Sequence, residues 1–484
     1  MYLKRVSFCT QLLYLVAAFL FSCVENDKTQ QRPNIIWINS DDLGTELGCY
    51  GNSDVTTPNI DQLASEGVRF TKAYANSPVC SSSRSSMITG MYPVSVNCQD
   101  HRTSNMTNLP DGIEPVTEYF RKAGYYVALG NSKDMSKGGK RDYNFLDKVK
   151  YDGTDWNKRT EGQPFFAQIH IKQPHRVFEK HINRIDPDKV KMPACYPDHP
   201  LLRADWALYL ETIQHCDDYV GKIMKRLEEE EIADNTIVFF FGDHGRPHLR
   251  DKQFLYEGGI KIPMIVRWPE NLKPNSKSDE LVSLVDLAPT SLALAGIDVP
   301  AHLQGNIFLG ENSKKNDYVY SFRQRAGDAD DNIRSITDGR YKLLWNRMPE
   351  KPYMQLTSYK KAQYPAFTLY KVLHAKGELE APFNQFMAKN RPEIELYDLD
   401  QDPQEFNNLA DDIEFAEIKN KLFGNLSGNM PEWEKNMVPE NEAGLKKGKE
   451  GSYNFYVSIM EKRGLDPNIS DEDYLKWWEK ELLD

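Results

Sequence analysis

Pro33-Asn34-Ile35-Ile36-Trp37-Ile38-Asn39-Ser40-Asp41-Asp42 runs from a proline through a short apolar stretch into two adjacent carboxylates. An apolar run of that length, closed abruptly by polar residues, reads as a strand buried on both faces. Asp41 and Asp42 then stand at its C-terminal end, the edge at which open α/β sheets bind their ligands. The same layout recurs at Asn235-Thr236-Ile237-Val238-Phe239-Phe240-Phe241, which runs into Gly242-Asp243-His244-Gly245 after a helical pattern from Asp205 to Glu231. A third strand pattern, 164–171, ends at Lys172-Gln173-Pro174-His175, and a fourth, 263–269, follows Tyr256-Glu257-Gly258-Gly259. Strands alternating with helices predict an α/β layered unit with helices on both faces of the sheet.

Past residue 315 the pattern changes. Asp317–Phe322, Asn332–Ile336 and Gly339–Trp345 read as half-buried strands of a smaller antiparallel sheet, and the Glu-, Lys- and Trp-rich stretch from Asn429 reads as helices packed on the body. The division is a first unit over 33–315 and a second over 316–484 with a helical tail. Ahead of both, Lys4 and Arg5 precede the apolar stretch Phe8–Val24, the charged and hydrophobic regions of an export signal over 1–22. Leu20-Phe21-Ser22-Cys23 resembles a loose lipobox in which Cys23 becomes the lipidated first residue; simple cleavage without a lipid is the alternative. The expected location is the periplasm or the cell surface, with or without a lipid anchor.

Of 484 residues, 40% are hydrophobic and 27% charged, which excludes a disordered acidic chain. Sixty Lys and Arg against 71 Asp and Glu give a net charge of -11, and no basic run is long enough to follow a phosphate backbone, so no nucleic-acid partner is expected. The seven cysteines show no CxxC pairs, which argues against zinc fingers and disulfide scaffolds alike. Five lie beyond the signal, an odd number for an oxidising compartment, so at least one is free or chemically special, and Cys80 is the candidate.

Asp41, Asp42, Asp243 and His244 gather at two strand ends, where three carboxylates repel one another unless a cation neutralises them. A hard divalent ion answers this, and in an exported protein calcium is the natural choice, although imidazole nitrogen suits calcium poorly. Cys80-Ser81-Ser82-Ser83-Arg84 opens an apparent helix, so Cys80 sits where unpaired N–H groups and the macrodipole favour an anion. Arg84, one turn on, carries a fork suited to an oxyanion, and sulfate or phosphate fits there.

Cys80-Ser81-Ser82-Ser83-Arg84 with Thr89-Gly90 resembles the C-x-P-S-R…T-G motif of the formylglycine-dependent sulfatases, a family of the alkaline phosphatase-like superfamily. Agreement continues at Pro33–Ile36 into Asp41-Asp42, Leu47-Gly48-Cys49-Tyr50-Gly51, Thr57-Pro58-Asn59-Ile60-Asp61, Asp243-His244-Gly245, Lys252 with Tyr256–Gly259, and Glu395–Pro403. It spans about residues 33–410, ordered and far more specific than one short motif. The resemblance implies an alkaline phosphatase-like sulfatase fold, with a large mixed central sheet flanked by helices and a smaller C-terminal unit with an antiparallel sheet. It implies that a maturation enzyme oxidises Cys80 to formylglycine, whose hydrated form attacks sulfur. Asp41, Asp42, Asp243 and His244, with the matured Cys80, take the metal positions; Arg84 and Lys252 clamp the sulfate; His175 protonates the leaving alcohol.

Two segments depart from the family pattern. Ser82 stands where the motif carries Pro or Ala, the residue the maturation enzyme reads. The family's G-K-x-H segment should follow the strand at 123–129, where the chain reads Gly130-Asn131-Ser132-Lys133-Asp134-Met135 with no histidine. Distance from the strand favours Lys133, with Lys140 in Gly138-Gly139-Lys140-Arg141-Asp142 as second choice; the missing base is Asp134 or His101.

Within the family, the segments around Arg323, Arg325, Arg334 and Asn346–Pro349 are most similar to bacterial polysaccharide sulfatases and heparan N-sulfatase-like enzymes, which implies a sulfated glycan substrate. Arg246, Arg250, Arg323 and Arg325 are the local cations available to hold it, since the chain as a whole is acidic. The rival readings are a phosphatase or phosphonate hydrolase of the same superfamily and a catalytically weak glycan-binding protein with unmodified Cys80.

Overall fold

The structure, a computed structural model, describes residues 32–484; the expected export signal over 1–22 and Cys23 lie outside the described residues. The first unit is built on strands β1 (Asn34–Ser40), β2 (Val68–Tyr74), β3 (Tyr126–Asn131), β4 (Phe165–Ile171), β5 (Thr236–Gly242), β6 (Lys261–Arg267) and β7 (Ser276–Ser283). Their order is β3-β4-β1-β5-β6-β2-β7. β3, β4, β1 and β5 run parallel, β6 runs against both its neighbours, and β2 and β7 are again parallel. The second sheet is antiparallel and contains β8 (Val319–Arg323), β9 (Ile333–Thr337), β10 (Tyr341–Asn346) and β11 (Ile394–Asp398) in the order β11-β10-β9-β8. A large mixed sheet with a smaller antiparallel sheet is the architecture that the family resemblance implies.

The helices are α1 (Pro58–Ser65), α2 (Cys80–Thr89), α3 (Val116–Lys122), α4 (Pro200–Glu229), α5 (Glu257–Ile260), α6 (Leu287–Leu294), α7 (Ser358–Gln363), α8 (Pro365–Lys376), α9 (Ala416–Trp433), α10 (Glu442–Lys462) and α11 (Asp471–Leu483). Among the described residues no helix is long and apolar enough to cross a membrane.

β1 is buried along its whole length because helices cover both faces of the sheet. Ile35 and Trp37 point into one core with Phe166, Phe239 and Phe241, and Ile36 and Ile38 point into the other with Ile169 and Phe240. Trp37 meets Phe166 edge-on at 5.0 Å and donates its indole N–H to Ser291 Oγ at 3.0 Å, which satisfies its one polar atom. Truncating it to alanine would cost about 3–5 kcal/mol.

A third core joins the two sheets' elements, with Tyr74, Leu201 and Tyr256 of the first unit against Tyr364, Tyr370, Tyr474 and Trp478 of the second. Several features escaped the sequence reading, β11 and helices α1, α3 and α6 among them. β7 is an edge strand whose first half is polar, with exposure that alternates along it, so it resembles a loop. β2 is only half-buried over most of its length. The α7–α8 pair carries mixed residues without a clean period, and α9 begins at Ala416, ahead of the predicted Asn429.

Candidate active site

Register brings the strand ends together. Ser40 pairs with Ile171 of β4 and with Gly242 of β5, so the turns that follow β1, β4 and β5 leave the sheet at one level. Asp41 N–H donates to Ile171 O at 3.0 Å, Asp243 N–H to Ser40 O at 2.9 Å, and Asp42 N–H to Asp243 Oδ1 at 3.0 Å. Asp42 adopts a left-handed φ of 60°, a conformation Asp tolerates better than most residues, and this turns consecutive carboxylates to different partners.

α2 delivers Cys80 to this edge. Its N-cap, Val79, offers no side-chain cap, so the first-turn N–H groups are not closed off by a neighbouring oxygen. Cys80 is 1% exposed. Its Sγ lies 3.3 Å from His244 Nε2, 3.8 Å from Lys252 Nζ and 3.9 Å from Asp42 Oδ1. Lys252 Nζ donates to both oxygens of Asp42 at 2.8 Å. Arg84, also buried, forks between Asp41 and Asp243 Oδ2, the latter at 3.1 Å. Ser82, at the position where the motif carries Pro, donates to Gln99 O at 3.1 Å and so is satisfied in the buried wall.

Burial works against every charge here, and the partners outweigh it. Asp41 is held well below the carboxylate range by Lys140, Arg84 and His170, and Asp42 by Lys252, His175 and His244. Burial lowers His244, but Asp243, Cys80 and Asp42 together raise it to about 10. Its Nδ1 donates to Gly245 O at 2.9 Å, which leaves Nε2 directed at Asp42, Asp243 and Cys80. That is the orientation of an imidazole ligand fixed by a carbonyl. Asp42, Cys80, Asp243 and His244 each bring a ligand atom within 4.8 Å of the others, all four buried, a donor set that fits a divalent cation. Asp41, expected as a third carboxylate ligand, lies outside that group of four and faces Arg84, Lys140 and His170.

His175 follows β4 and stands at the open side of the cluster, its side chain 23% exposed and its Nε2 4.0 Å from Asp42 Oδ2. Burial lowers its pKa, with Asp42 opposing.

Other expected residues lie elsewhere. Lys133 is exposed, its backbone N–H turned to Asn131 Oδ1, and Asp134 bonds Ser136 at the surface. Lys140 takes the place expected of Lys133: its Nζ is 3.0 Å from Asp41 Oδ2 and 3.5 Å from Asp142 Oδ2. The turn at Asn131–Lys137 folds out to solvent and the chain returns to the sheet at Gly139, whose N–H bonds Leu129 O. Asp142, two residues past Lys140 where the family pattern carries histidine, is gripped by both guanidinium arms of Arg102. His101 is held by backbone bonds to Arg325, with a buried Nε2 that has no partner.

The arginines expected to face a glycan are internal braces. Arg323 pairs with Asp331 at 2.9 Å, Arg325 with Glu440, Arg246 with Glu46 and Asp251, and Arg250 donates to the carbonyls of Gln404 and Glu405. Arg323 and Arg325 are 2% exposed and cannot form a free cationic surface, while Arg246 and Arg250 line a cavity of about 180 Å³ with their guanidinium groups already paired.

Two site residues went unread in the sequence. His170, at the end of β4, sits 3.1 Å from Asp41 Oδ2, though not aligned as a hydrogen bond; its strand-end position was the available signal. Tyr359 of α7 lies with its ring 5.5 Å from Lys252 Nζ and a buried, unpartnered hydroxyl, and nothing local in the sequence marks it.

The sequence model of the family Sulfatase matches residues 33–297, the span that carries Asp41, Asp42, Cys80, Arg84, His175 and Asp243. The chain belongs to the sulfatase family. A second family model, N-sulphoglucosamine sulphohydrolase, C-terminal, matches residues 242–365. This sulfatase is 32% identical to an ulvan-active sulfatase of Formosa agariphila, over 82% of this chain and 74% of that one. It is 25% identical to human N-sulphoglucosamine sulphohydrolase over 81% and 89% of the two chains. Its fold is shared with a solved protein in complex with its substrate D-glucosamine-2-N,6-O-disulfate, with TM-score 0.60 and 20% identity over 85% of this sulfatase and all of that chain.

Proposed function

We propose that this sulfatase is an exported hydrolase of sulfate esters or N-sulfates on a sulfated polysaccharide or its oligosaccharides, using a nucleophile matured from Cys80 and one calcium ion. The supporting observation is the setting of Cys80, on the open first turn of α2 with Lys252 and His244 on its sulfur and Arg84 one turn behind. The relatives' substrates support the glycan class, since those named act on ulvan or on sulfated glucosamine.

Matured Cys80 would supply an oxygen nucleophile, and a cation held by Asp42, Asp243 and His244 would offset charge on it and on the sulfuryl oxygens. The protein's own cations do the rest. Lys252, Lys140 and Arg84 neutralise the carboxylates in the resting site and present their remaining donors to an incoming sulfate. His175, with Nδ1 on Arg176 O and Nε2 toward the cluster, would give the departing oxygen a proton from its imidazolium form, a proton needed because an alkoxide is a poor leaving group. Val79, Cys80 and Ser81 are almost wholly buried, whereas the side chains of His175 and Lys140 are 23% and 20% exposed, so solvent reaches the cluster from their side. The partners expected are the glycan and the enzyme that matures Cys80, and a lipid on Cys23 would tether the mature chain to a membrane.

The test has two parts: the mass of the Cys80 peptide, and sulfate release from sulfated oligosaccharides. A peptide lighter than the cysteine form together with sulfate release is expected. Sulfate release by protein whose Cys80 is unmodified would overturn the nucleophile, and no release by matured protein would overturn the hydrolase.

A further inference from the structure

Beyond His175 the chain crosses from β4 to α4, and this crossing is fastened to the helix. Glu179 N–H donates to Thr212 Oγ1, and the N–H groups of His181 and Ile185 to Glu211. At the end of this seam three metal-type side chains meet. His181 Nε2 lies 3.3 Å from Asp218 Oδ2, His215 Nδ1 lies 4.0 Å from the same oxygen, and the three ligand atoms fall within 4.8 Å of one another. His215 and Asp218 are three residues apart on α4, so they share one helix face.

The surroundings favour ligation. His215 Nε2 lies 3.1 Å from Lys180 O, so Nε2 carries the proton and the Nδ1 lone pair faces Asp218. A ring nitrogen held on a carbonyl is the usual support for an imidazole that binds a metal through its other nitrogen. His181 is 8% exposed whereas the Asp218 side chain is 50% exposed, so one side is fixed in protein and the other is open to an arriving ion and to water.

We propose that His181, His215 and Asp218 form a second metal site, separate from the carboxylate centre at Cys80, that takes Zn²⁺ or a similar transition-metal ion. Two imidazoles and one carboxylate suit zinc and give calcium too few oxygens. Tetrahedral zinc at about 2.0–2.1 Å from each donor sets donor separations of about 3.4 Å. The His181–Asp218 pair already has that spacing, and His215 has about half an ångström to close.

One local bond must change. His181 Nδ1 accepts the Asn183 N–H at 3.1 Å, so its proton sits on Nε2 and faces Asp218. Ligation through Nε2 moves that proton to Nδ1 and turns the Asn183 N–H away. Ile182, between the two, is 89% exposed, so its side chain does not resist the turn, while Gln214 keeps its hold on Asn183 O and Glu211 on the His181 N–H. A bound ion would pin the crossing that carries His175 against α4.

The experiment uses the full chain, stripped with chelator and then saturated with Ca²⁺, titrated with Zn²⁺ by calorimetry and followed by melting temperature. The wild type is expected to take up one more zinc per chain than His215→Ala or Asp218→Ala, or to bind it at least about tenfold more tightly, and only the wild type gains melting temperature. His181 is buried, so the two helix variants, whose side chains reach the surface, carry the test. No zinc uptake by the wild type, or equal uptake and equal stabilisation in both variants, would overturn the site.

Discussion

Lys140 Nζ donates to Asp41 Oδ2 at 3.0 Å, a contact between residues ninety-nine apart that spans the ends of β3, β4 and β1, with His170 of β4 on the same oxygen. On the proposed function, a cation in that place would stabilise charge on a sulfuryl group, while Lys133 is exposed beyond the Asn131 turn, away from the carboxylates. Lys140→Ala should lower sulfate release by roughly 10²–10³-fold, as expected for loss of one electrostatic donor, and Lys133→Ala should leave the rate unchanged. Initial rates on one sulfated oligosaccharide check both, and the reverse ranking would return Lys133 to the site.

His175 separates hydrolysis from binding. If it protonates the leaving oxygen, His175→Ala should slow a sugar sulfate by roughly 10²–10⁴-fold and an aryl sulfate far less, because a phenoxide leaves nearly unaided. Glycan affinity should weaken only modestly, since the proton matters in the transition state. The measurement is the ratio of the two defects. A ratio near one removes His175 from the acid role.

Chelation should both inactivate and destabilise the enzyme. Lys252, Arg84 and Lys140 offset part of the carboxylate charge, but a cation bound only by the folded chain adds about 3–4 kcal/mol at a few hundred times its dissociation constant. Melting temperature and activity should fall together with EDTA and return with Ca²⁺. Neither moving after thorough chelation would contradict the metal assignment.

Asp286 offers a pH test outside the site. Burial raises its carboxyl to about 6, although it accepts N–H groups from Ser283 and Asn306 and the side-chain amide of Asn316. Between the unfolded value near 4 and about 6 the folded chain binds the extra proton. Stability therefore falls as pH rises through that window, by about 3 kcal/mol from this residue, and the loss is complete above it. Urea unfolding at pH 4–7 should show a flatter profile for Asp286→Asn than for the wild type. Parallel profiles would refute the raised pKa.

The parallel core strands were legible because a strand buried on both faces must be nearly continuous in apolar residues, and Ile35–Ile38 and Ile237–Phe241 are. β2 and β7 were not, since a half-exposed strand mixes polar and apolar residues much as a loop does. The acidic turns and Cys80 with Arg84 were legible for a related reason, since residues at strand and helix ends leave a short local pattern, whereas His175 and Lys252 were singled out through the family resemblance.

By itself the sequence determined the layered α/β class, the strand-end carboxylates and the anion-favouring start of α2, because each depends on residues within one or two turns of each other. Tertiary structure alone decided that Lys140 and not Lys133 meets Asp41, that Arg250, Arg323 and Arg325 brace the interior, and that Tyr359 covers Lys252. Those outcomes depend on how segments distant in sequence, ninety-nine residues for Asp41 and Lys140 and more than a hundred for Arg325 with Glu440 and for Lys252 with Tyr359, are brought together, and on which carboxylate each buried cation finds there. A charge is equally plausible at many sequence positions, but a buried one persists only beside its partner.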